Sequence, residues 1–377
     1  MRKAFWLSLH SCPKGSMTLT RRNFNQLALS SAAVGLIPQA LAQTTERRVR
    51  YAIVGLGRIS VNSFMPALRA SSNSAITALV SGSPEKARRL AAQYGVPEGS
   101  IYSYEQFDRI RENASVDAVY IGLPNGMHAE YTIRAAQAGK HALCEKPMAI
   151  SVEESKAMIA ACKRANKKLM IGYRCQLEPT TLHAKQIIQS GQLGKIQSIE
   201  SANGFSTPPG EWRLNRKLAG GGPLLDVGIY SLNACRFLLG QEPSRVSAFS
   251  SVVDHDGRFD QVEETIAWTM RFPSGALAIC STSYGADLEG FVRVHGSKGT
   301  LTLQPAFSYE GIQMSGQIDG EAITYLNKMP FPDEFVREAD HFSSCILEDR
   351  QPGPSGEEGL RDMEWIDRIY KSAAAQS

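Results

Sequence analysis

Hydrophobic positions between residues 49 and 171 fall into short runs rich in β-branched residues, separated by longer amphipathic segments. The short runs predict strands at 49–54, 76–80, 117–121, 141–144 and 168–171. The amphipathic segments predict helices at 84–94, 127–138 and 152–165. Such an alternation of strand and helix is typical of a parallel sheet covered by helices on both faces.

The pattern changes after residue 173. A helix at 178–189 is followed by runs rich in Thr, Ser, Val and aromatic residues near 196–206, 244–253, 261–272, 275–284, 290–295 and 299–304, and helical patterns return at 333–348 and 357–375. Strands with few helices between them predict a mostly antiparallel sheet, with one face packed and one face open to water or to another subunit.

The pattern therefore predicts an α/β protein of two domains. Residues 43–172 are expected to form an N-terminal Rossmann dinucleotide-binding domain. Residues 173–377 are expected to form a C-terminal α+β domain with a large, mostly antiparallel open sheet, which binds substrate and forms oligomers.

The segment ahead of the first strand resembles an export signal. Arg21 and Arg22 precede an uncharged run, rich in Ala, Leu and Ser, that ends in the small-residue sequence 40–42. This pattern predicts a twin-arginine signal over residues 1–42, which is removed after the folded protein reaches the periplasm. The alternative is a retained membrane anchor, but Pro38, Gln39 and other polar residues interrupt the apolar run. Met17, just ahead of the arginine pair, is a second candidate for the start of translation.

The formal charge and the spacing of the cysteines indicate which partners and which stabilising sites are not expected. Removal of residues 1–42 takes away five basic residues and no acidic ones, so the formal charge falls from +4 to −1. A nearly neutral surface argues against nucleic acid or an anionic membrane as the main partner. The 7 cysteines are scattered, without a CxxC pair or a Cys/His cluster, so neither a zinc site nor a disulfide framework is predicted.

A glycine turn directly follows the first predicted strand. Gly55 and Gly57 allow a tight turn and let a pyrophosphate approach the backbone amides. Ser60 stands where a third Gly or Ala is usual, so the match is incomplete, although Ser is small enough for close packing. The alternative is a turn with a purely structural role.

The end of the second predicted strand favours NADP over NAD. No acidic residue stands at residues 81–83 to bind the ribose 2′-hydroxyl of NAD. Ser81 and Lys86 are instead placed to bind a 2′-phosphate, and Arg58 to stack on the adenine. The alternative for Lys86 is a solvated helix residue.

Two short stretches carry candidate chemistry. Glu145 and Lys146 follow an apolar strand at the carboxyl edge of the sheet, where Lys146 could polarise a substrate oxygen and Glu145 could hold the cofactor. Asp226 and Tyr230 are four residues apart, so on a helix they share one face and could bind a hydroxyl and move its proton. The alternatives are a packed aromatic residue for Tyr230 and a helix cap for Asp226.

These motifs together resemble the Gfo/Idh/MocA oxidoreductase family over the whole chain after residue 42. The resemblance rests on the glycine turn, Pro124 and Asn125 with His128, residues 145–147, and the glycines at 220–222 ahead of Asp226. Within the family it is closer to the glucose-fructose oxidoreductase subgroup, through residues 211–216, 226–230, 262–266 and 283–284. Many relatives have His where this chain has Tyr230.

The resemblance implies a tightly held NADP and two coupled half reactions. An aldose would be oxidised at C1 to an aldonolactone, and a second sugar, fructose or an aldose, would be reduced to an alditol. By position, Tyr230 would be the general base and acid, Lys146 would lower the pKa of this phenol, which ordinarily is about 10, and Asp226 would orient the sugar. The residues implied around cofactor or substrate are Gly55, Gly57, Arg58, Ile59, Ser81, Lys86, Leu123, Asn125, His128, Glu145, Lys146, Arg174, Trp212 and Arg213.

The chain departs from the subgroup in one respect. Members have a long Pro-rich arm before the first strand, whereas residues 43–48 alone separate the predicted cleavage site from the strand. Both a homodimer and a homotetramer therefore stay open, as does the tightness of NADP binding. The rival functions are a sugar dehydrogenase or reductase with exchangeable NADP(H), and a sugar-binding protein that is stabilised by a nucleotide and has no catalytic activity.

Overall fold

The first part of the chain forms a six-stranded parallel sheet. The computed structural model describes residues 47–376. The strands of this sheet are β1 (Val49–Val54), β2 (Ser74–Val80), β3 (Ile101–Tyr102), β4 (Ala118–Ile121), β5 (His141–Glu145) and β6 (Leu169–Gly172). They lie in the order β3-β2-β1-β4-β5-β6, and all neighbours are parallel. The order reverses between β1 and β4, and the carboxyl ends of strands at such a switch point are where ligands bind in open α/β sheets.

Two of the four helices of this half begin at a serine cap. The helices are α1 (Met65–Ala70), α2 (Pro84–Tyr94), α3 (His128–Gln137) and α4 (Val152–Arg164). The side chain of Ser83 caps α2 by accepting a hydrogen bond from the Lys86 backbone N–H, and Ser151 caps α4 in the same way. The strands and helices predicted for this half are confirmed to within two residues, and the two-residue strand β3 was not predicted.

The second sheet has eight strands. They are β7 (Ile196–Gly204), β8 (Arg245–Ser251), β9 (Thr265–Arg271), β10 (Leu277–Ser283), β11 (Leu288–Gly296), β12 (Gly299–Leu303), β13 (Gln313–Ile318) and β14 (Glu321–Leu326). The order is β14-β13-β12-β11-β7-β10-β9-β8, and only β7 and β10 pair in parallel. The prediction of a mostly antiparallel sheet is confirmed. Strands β13 and β14 were not predicted, and Gln, Ser and Gly316 interrupt the hydrophobic pattern of β13.

One face of this sheet is packed and the other is open. Helices α5 (Pro179–Gln189), α6 (Arg216–Ala219) and α7 (Ile229–Leu239) follow in the chain, and α7 contacts β7 and β10. Along β9, Ile266, Trp268 and Met270 are buried, whereas the residues between them are exposed. On the open face, Phe249 and Ile279 are 63% and 52% exposed. Oligomer formation through this face stays a prediction.

The last two helices, α8 (Asp333–Leu347) and α9 (Gly356–Ala374), pack back against the first sheet. Helix α8 contacts β1 and β2, where the hydroxyls of Tyr51 and Ser343 are 2.8 Å apart, and α9 contacts α4 and β6. The predicted division at residue 172 coincides with the end of β6. The assignment of 43–172 and 173–377 to separate domains stays a prediction.

Two further features concern the predicted environment of the protein. Among residues 47–376, every helix is too short or too polar to cross a membrane. In the same part of the chain, all six cysteines are free thiols. The predicted export signal at 1–42 lies outside the described residues.

Candidate active site

The glycine turn brings the ends of β1 and β4 together. Gly55 has a φ of +88°, and a Cβ added to it would lie 2.6 Å from the carbonyl oxygen of Gly122. A Cβ on Gly122 would in turn lie 2.4 Å from Oγ of Ser60, a buried residue. Gly55 is therefore required by its positive φ and by a close backbone approach, and Gly122 by the close approach of the Ser60 side chain. Ser60 fills the position of the missing third Gly or Ala, as predicted.

The end of β2 fits a nucleotide 2′-phosphate. Oγ of Ser81 accepts a hydrogen bond from the Ser83 backbone N–H at 3.1 Å, which leaves the hydroxyl proton of Ser81 free to donate. Lys86 lies in the first turn of α2, whose N-terminus faces the same place and favours an anion. The roles of Ser81 and Lys86 as cofactor-binding residues stay predictions.

Arg58 lies on the outer rim of the site. Its side chain is 74% exposed and forms a salt bridge of 3.1 Å with Glu211, next to Trp212. An exposed guanidinium that is held by Glu211 still presents its flat face, on which a base can stack. Its contact with the adenine stays a prediction.

A cavity of about 300 Å³ lies at the carboxyl ends of the parallel strands. Eleven of the predicted residues line it together: Ile59, Leu123, Asn125, His128, Glu145, Lys146, Arg174, Trp212, Arg213, Asp226 and Tyr230. The predicted residues that do not line it are Gly55, Gly57, Arg58, Ser81 and Lys86. The remaining lining residues, which were not predicted to belong to the site, are Asn203, Phe205, Val227, Phe307, Tyr309 and Phe335.

Lys146 and Asp226 form the centre of the cavity. Nζ of Lys146 donates to the backbone oxygen of Asp226 at 2.6 Å and to Oδ1 at 3.2 Å. The other carboxylate oxygen, Oδ2, accepts from Nε of Arg213 at 2.6 Å and from the hydroxyl of Tyr284 at 2.8 Å. Burial raises the pKa of Asp226, but the charges of Lys146 and Arg213 hold it well below its usual range. Asp226 is therefore a carboxylate at neutral pH.

The turn that carries Asp226 is π-helical. Residues Leu224–Gly228 form this turn, and α7 begins directly after it at Ile229. Asp226 and Tyr230 line the same cavity, as their spacing predicted. The spacing predicted a regular helix here, whereas the structure has the wider π-helical turn, which is frequent at functional sites.

The ring of Tyr230 lies between two cations. Nζ of Lys146 is 4.6 Å from the ring centroid and the guanidinium carbon of Arg174 is 5.1 Å from it. Burial raises the pKa of Tyr230, and Arg174 is the neighbour that most opposes this rise. The expected influence of Lys146 on this phenol is therefore accompanied by that of a second cation.

Two residues from distant segments hold Arg174 in place. Its Nη1 forms a buried salt bridge of 2.6 Å with Glu334 of α8, and its guanidinium carbon lies 4.6 Å from the ring centroid of Tyr309. Neither residue was predicted, because both follow Arg174 by more than 130 positions. A buried acid on the apolar face of α8 was the signal that could have indicated Glu334.

Glu145 is held at the end of β5 by two donors. The hydroxyl of Tyr120 donates to its Oε1 at 2.8 Å, and the Lys146 backbone N–H donates to Oε2 at 3.3 Å. Burial raises the pKa of Glu145, whereas Lys146 opposes this rise. A Cβ on Gly172 would lie 3.2 Å from the carboxyl group, so a glycine leaves room for it.

Asn125 and His128 make structural contacts at the edge of the cavity. Nδ2 of Asn125 donates to the backbone oxygen of Ala219 at 2.9 Å. The ring nitrogens of His128 lie 2.7 Å and 2.8 Å from the backbone oxygens of Pro147 and Leu123. Both side chains thus join the loops that carry Lys146 and the glycine run, and their roles as cofactor ligands stay predictions.

Family models match both parts of the chain. The model of the oxidoreductase family with an NAD-binding Rossmann fold matches residues 49–173, and the GFO/IDH/MocA C-terminal domain matches residues 181–302. The chain belongs to the Gfo/Idh/MocA oxidoreductase family. The predicted resemblance and the predicted Rossmann fold are confirmed.

Similar proteins act on sugars. A crystal structure of aldose-aldose oxidoreductase from Caulobacter crescentus, complexed with glycerol, is 44% identical with a TM-score of 0.85, and the match covers 88% of this chain and 99% of that one. The D-xylose 1-dehydrogenase [NADP(+)] of Haloarcula marismortui is 33% identical over 88% of this chain and 93% of its own length. A 3-ketoreductase from Actinomadura kijaniata, solved in complex with NADP and TDP-benzene, is 24% identical and shares the fold, with a TM-score of 0.77. That match covers 86% of this chain and 98% of the other.

Within residues 47–376 we find no group of three or more His, Cys, Asp or Glu side chains arranged to hold a metal ion.

Proposed function

We propose that this protein is an NADP-dependent sugar oxidoreductase that oxidises an aldose to an aldonolactone and reduces a second sugar, fructose or an aldose, to an alditol. One observation carries the proposal. Lys146, bound to Asp226, contacts Tyr230 in a cavity at the carboxyl edge of a Rossmann sheet. This arrangement places a cation, a carboxylate and a phenol where a dinucleotide fold binds its substrate.

The chemistry requires a hydride acceptor and a proton acceptor. Oxidation of the C1 carbinol removes a hydride from carbon and a proton from oxygen, and bound NADP supplies the hydride acceptor. Tyr230 in its ionised, phenolate form would take the hydroxyl proton and become a neutral phenol, while Lys146 would stabilise the developing negative charge on the sugar oxygen. In the second half reaction the same groups act in reverse, since the acceptor carbonyl gains a hydride on carbon and a proton on oxygen.

The carboxylate of Asp226 orients the sugar. Both of its oxygens already accept hydrogen bonds from fixed donors, so the carboxylate cannot rotate freely. An ionised, immobile acceptor beside Tyr230 selects a hydroxyl that donates to it. The aromatic rings of Trp212 and Tyr309 on the cavity wall provide flat apolar surface for a sugar ring.

Preference for NADP is supported by the end of β2 and by the relatives. No acid stands at residues 81–83, and Ser81 and Lys86 would bind the 2′-phosphate. The Haloarcula relative is named for NADP. The glycine turn at Gly55 and Gly57 would hold the pyrophosphate at the backbone amides that follow.

Export by the twin-arginine route is part of the proposal. It is supported by Arg21 and Arg22 ahead of the uncharged run to Ala42. Replacement of both arginines by lysine is expected to keep the protein in the cytoplasm in a fractionation experiment, and N-terminal sequencing of the periplasmic form would locate the cleavage.

We also propose a homodimer or homotetramer, formed through the open face that exposes Phe249 and Ile279.

Nicotinamide fluorescence tests the function directly. The purified, extensively desalted protein is recorded alone, after glucose is added, and after fructose or a second aldose follows. We expect emission to rise with the first sugar and fall with the second. Tyr230→Phe protein is the control, and its undiminished turnover would refute the proton-transfer role.

A second candidate is a sugar dehydrogenase that exchanges NADP(H) with solution. The similarity to the Haloarcula D-xylose 1-dehydrogenase favours it. In that case the desalted protein gives no signal until NADP is supplied, and addition of the second sugar leaves the emission unchanged.

A further inference from the structure

The guanidinium of Arg174 is enclosed against the ring of Tyr230. Its carbon lies 5.1 Å from the centroid of Tyr230 and 4.6 Å from that of Tyr309, and Phe335 approaches at 5.9 Å. The side chain of Arg174 is only 4% exposed. Because water is excluded, the charge of this guanidinium acts on Tyr230 with little screening.

Three acceptors fix the guanidinium. Nη1 donates to Oε2 of Glu334 at 2.6 Å and to the backbone oxygen of Ser308 at 3.1 Å, and Nη2 donates to the backbone oxygen of Phe307 at 2.6 Å. Glu334 is itself buried, with 3% of its side chain exposed. A planar fork held at several points keeps one orientation, which a flexible lysine ammonium would not.

Lys146 is differently engaged. Its ammonium lies 4.6 Å from the centroid of Tyr230, but it donates to the backbone and carboxylate oxygens of Asp226. The carboxylate of Asp226 therefore offsets part of the charge of Lys146, as Glu334 offsets part of the charge of Arg174, and Arg174 is the cation that most lowers the pKa of Tyr230.

Other titratable groups also act on Tyr230. Burial raises its pKa most, Arg174 lowers it, and Cys175 and Glu145 raise it. The ionisable groups on the elements around the ring are Glu145, Lys146, Arg174, Cys175, Asp226 and Tyr309. Among these groups, Arg174 lowers the pKa of Tyr230 most and so most favours its ionised form.

We propose that Arg174 is the cation that stabilises the ionised form of Tyr230 during proton transfer, and that Glu334 is a positioning residue that holds the guanidinium against the ring. The inference rests on the proposed function, since it assumes that Tyr230 carries the proton. It assigns α8, a helix from the end of the chain, a part in the chemistry at the carboxyl edge of the first sheet.

The ionisation of Tyr230 is measurable without turnover. In protein labelled with 13Cζ-tyrosine, the signal of Tyr230 is assigned by its absence in Tyr230→Phe, and its chemical shift is followed against pH. We expect Arg174→Met to move the titration upward by about one pH unit or more, and Lys146→Met to move it less. An unchanged titration in Arg174→Met would overturn the proposal.

The variant Glu334→Gln distinguishes the role of Glu334 in positioning Arg174 from the effect of its own charge on Tyr230. Loss of a nearby anion would by itself move the titration of Tyr230 downward, whereas loss of the anchor of Arg174 moves it upward. We expect an upward shift, and a downward one would refute the positioning role. Glu348→Gln, at the exposed end of the same helix, is the matched control and is expected to have no effect.

A double variant covers the case in which Arg174→Met does not fold, because that change leaves Glu334 buried without a cation. Arg174→Met combined with Glu334→Met removes both charges, and we expect the same upward shift. The NMR titration does not depend on sugar conversion. Failure of the proposed function, seen as full turnover by Tyr230→Phe, is therefore distinguishable from failure of this inference.

Discussion

The ammonium of Lys146 lies 2.6 Å from the backbone oxygen of Asp226 and 3.2 Å from its Oδ1, so one cation binds both the π-helical turn and the carboxylate it carries. Lys146 comes from the end of β5, and Asp226 from the segment just before α7. The contact therefore joins the dinucleotide-binding sheet to the part of the chain that carries Tyr230. It also explains why Asp226 stays ionised although it is buried.

Replacement of Asp226 by Asn tests this contact. The amide keeps the shape of the side chain but loses the charge, and it leaves Lys146 and Arg213 close together without a carboxylate between them. We expect kcat/KM for the sugar to fall on the order of 100-fold. The measurement is steady-state turnover with NADP supplied, and turnover within twofold of the parent protein would contradict the expectation.

The same variant has a signature in stability. The pKa of Asp226 is depressed in the folded protein, so its charge contributes stability above the ordinary pKa of an aspartate, and this contribution is lost as the pH falls below about 4. The difference in melting temperature between the parent and Asp226→Asn is thus expected to shrink as the pH is lowered from 6 towards 3. A constant difference over that range would show that the charge is not the stabilising element.

Gly55→Ala is expected to damage both stability and cofactor binding. The positive φ costs an alanine about 1–2 kcal/mol, and the clash of its Cβ with Gly122 adds about 1–3 kcal/mol, since that contact would be 2.6 Å. Gly95→Ala is a matched control, because Gly95 has a φ of +70° but nothing within 4 Å of an added Cβ. Urea denaturation should show the larger loss for Gly55→Ala, and only this variant should bind NADP more weakly.

The fold of the first half could be predicted because its signals are local. A buried strand such as 49–54 and a capped helix such as Pro84–Tyr94 are each defined by adjacent residues, and their alternation specifies the sheet. Packing of α8 against β1 and β2 could not be predicted, because no local pattern tells an amphipathic helix which surface it will cover.

Site residues that belong to sequence motifs could be predicted. Site residues that are defined only by tertiary contacts could not. Lys146, Asp226 and Tyr230 were found from their spacing and from the resemblance. Tyr284 was noted only within the motif at 283–284 and without a role, and Glu334 was not noted, since each acts through a partner that is 58 or 160 positions away in the chain. An isolated Tyr or Glu in a sequence gives no indication of such a partner.

Discrimination between NADP and NAD is expected to depend on Lys86. Its replacement by Ala should weaken NADP binding about tenfold, roughly 1.4 kcal/mol, and leave NAD binding unchanged, because only NADP carries the 2′-phosphate. Arg89→Ala, an exposed basic residue on the same helix, controls for the loss of general charge. Isothermal titration with both cofactors measures this, and equal weakening in the two variants would remove Lys86 from the phosphate site.

Glu338 is a buried acid whose charge state should be visible in the stability of the protein. It is fully buried in α8, and neither of its carboxyl oxygens has a hydrogen-bond partner. Burial raises its pKa well above the usual value, and the like charges of Glu145 and Glu334 raise it further, against the charge of Arg174. We therefore expect Glu338 to be a neutral carboxylic acid at pH 6.

Because the pKa of Glu338 is raised in the folded state, its contribution to stability is fully present below the unfolded pKa of about 4.5. This contribution is lost as the pH rises above that value. Gln cannot ionise, so Glu338→Gln should gain stability relative to the parent protein as the pH increases from 5 to 8. Melting temperatures of both proteins across this range measure the effect. Glu348→Gln, at the exposed end of the same helix, should differ from the parent by a constant amount. If Glu338→Gln also differs by a constant amount, the carboxyl group is ionised in the folded protein and a cation must stabilise it, for which Arg174 is the candidate because its charge opposes the rise in the pKa of Glu338.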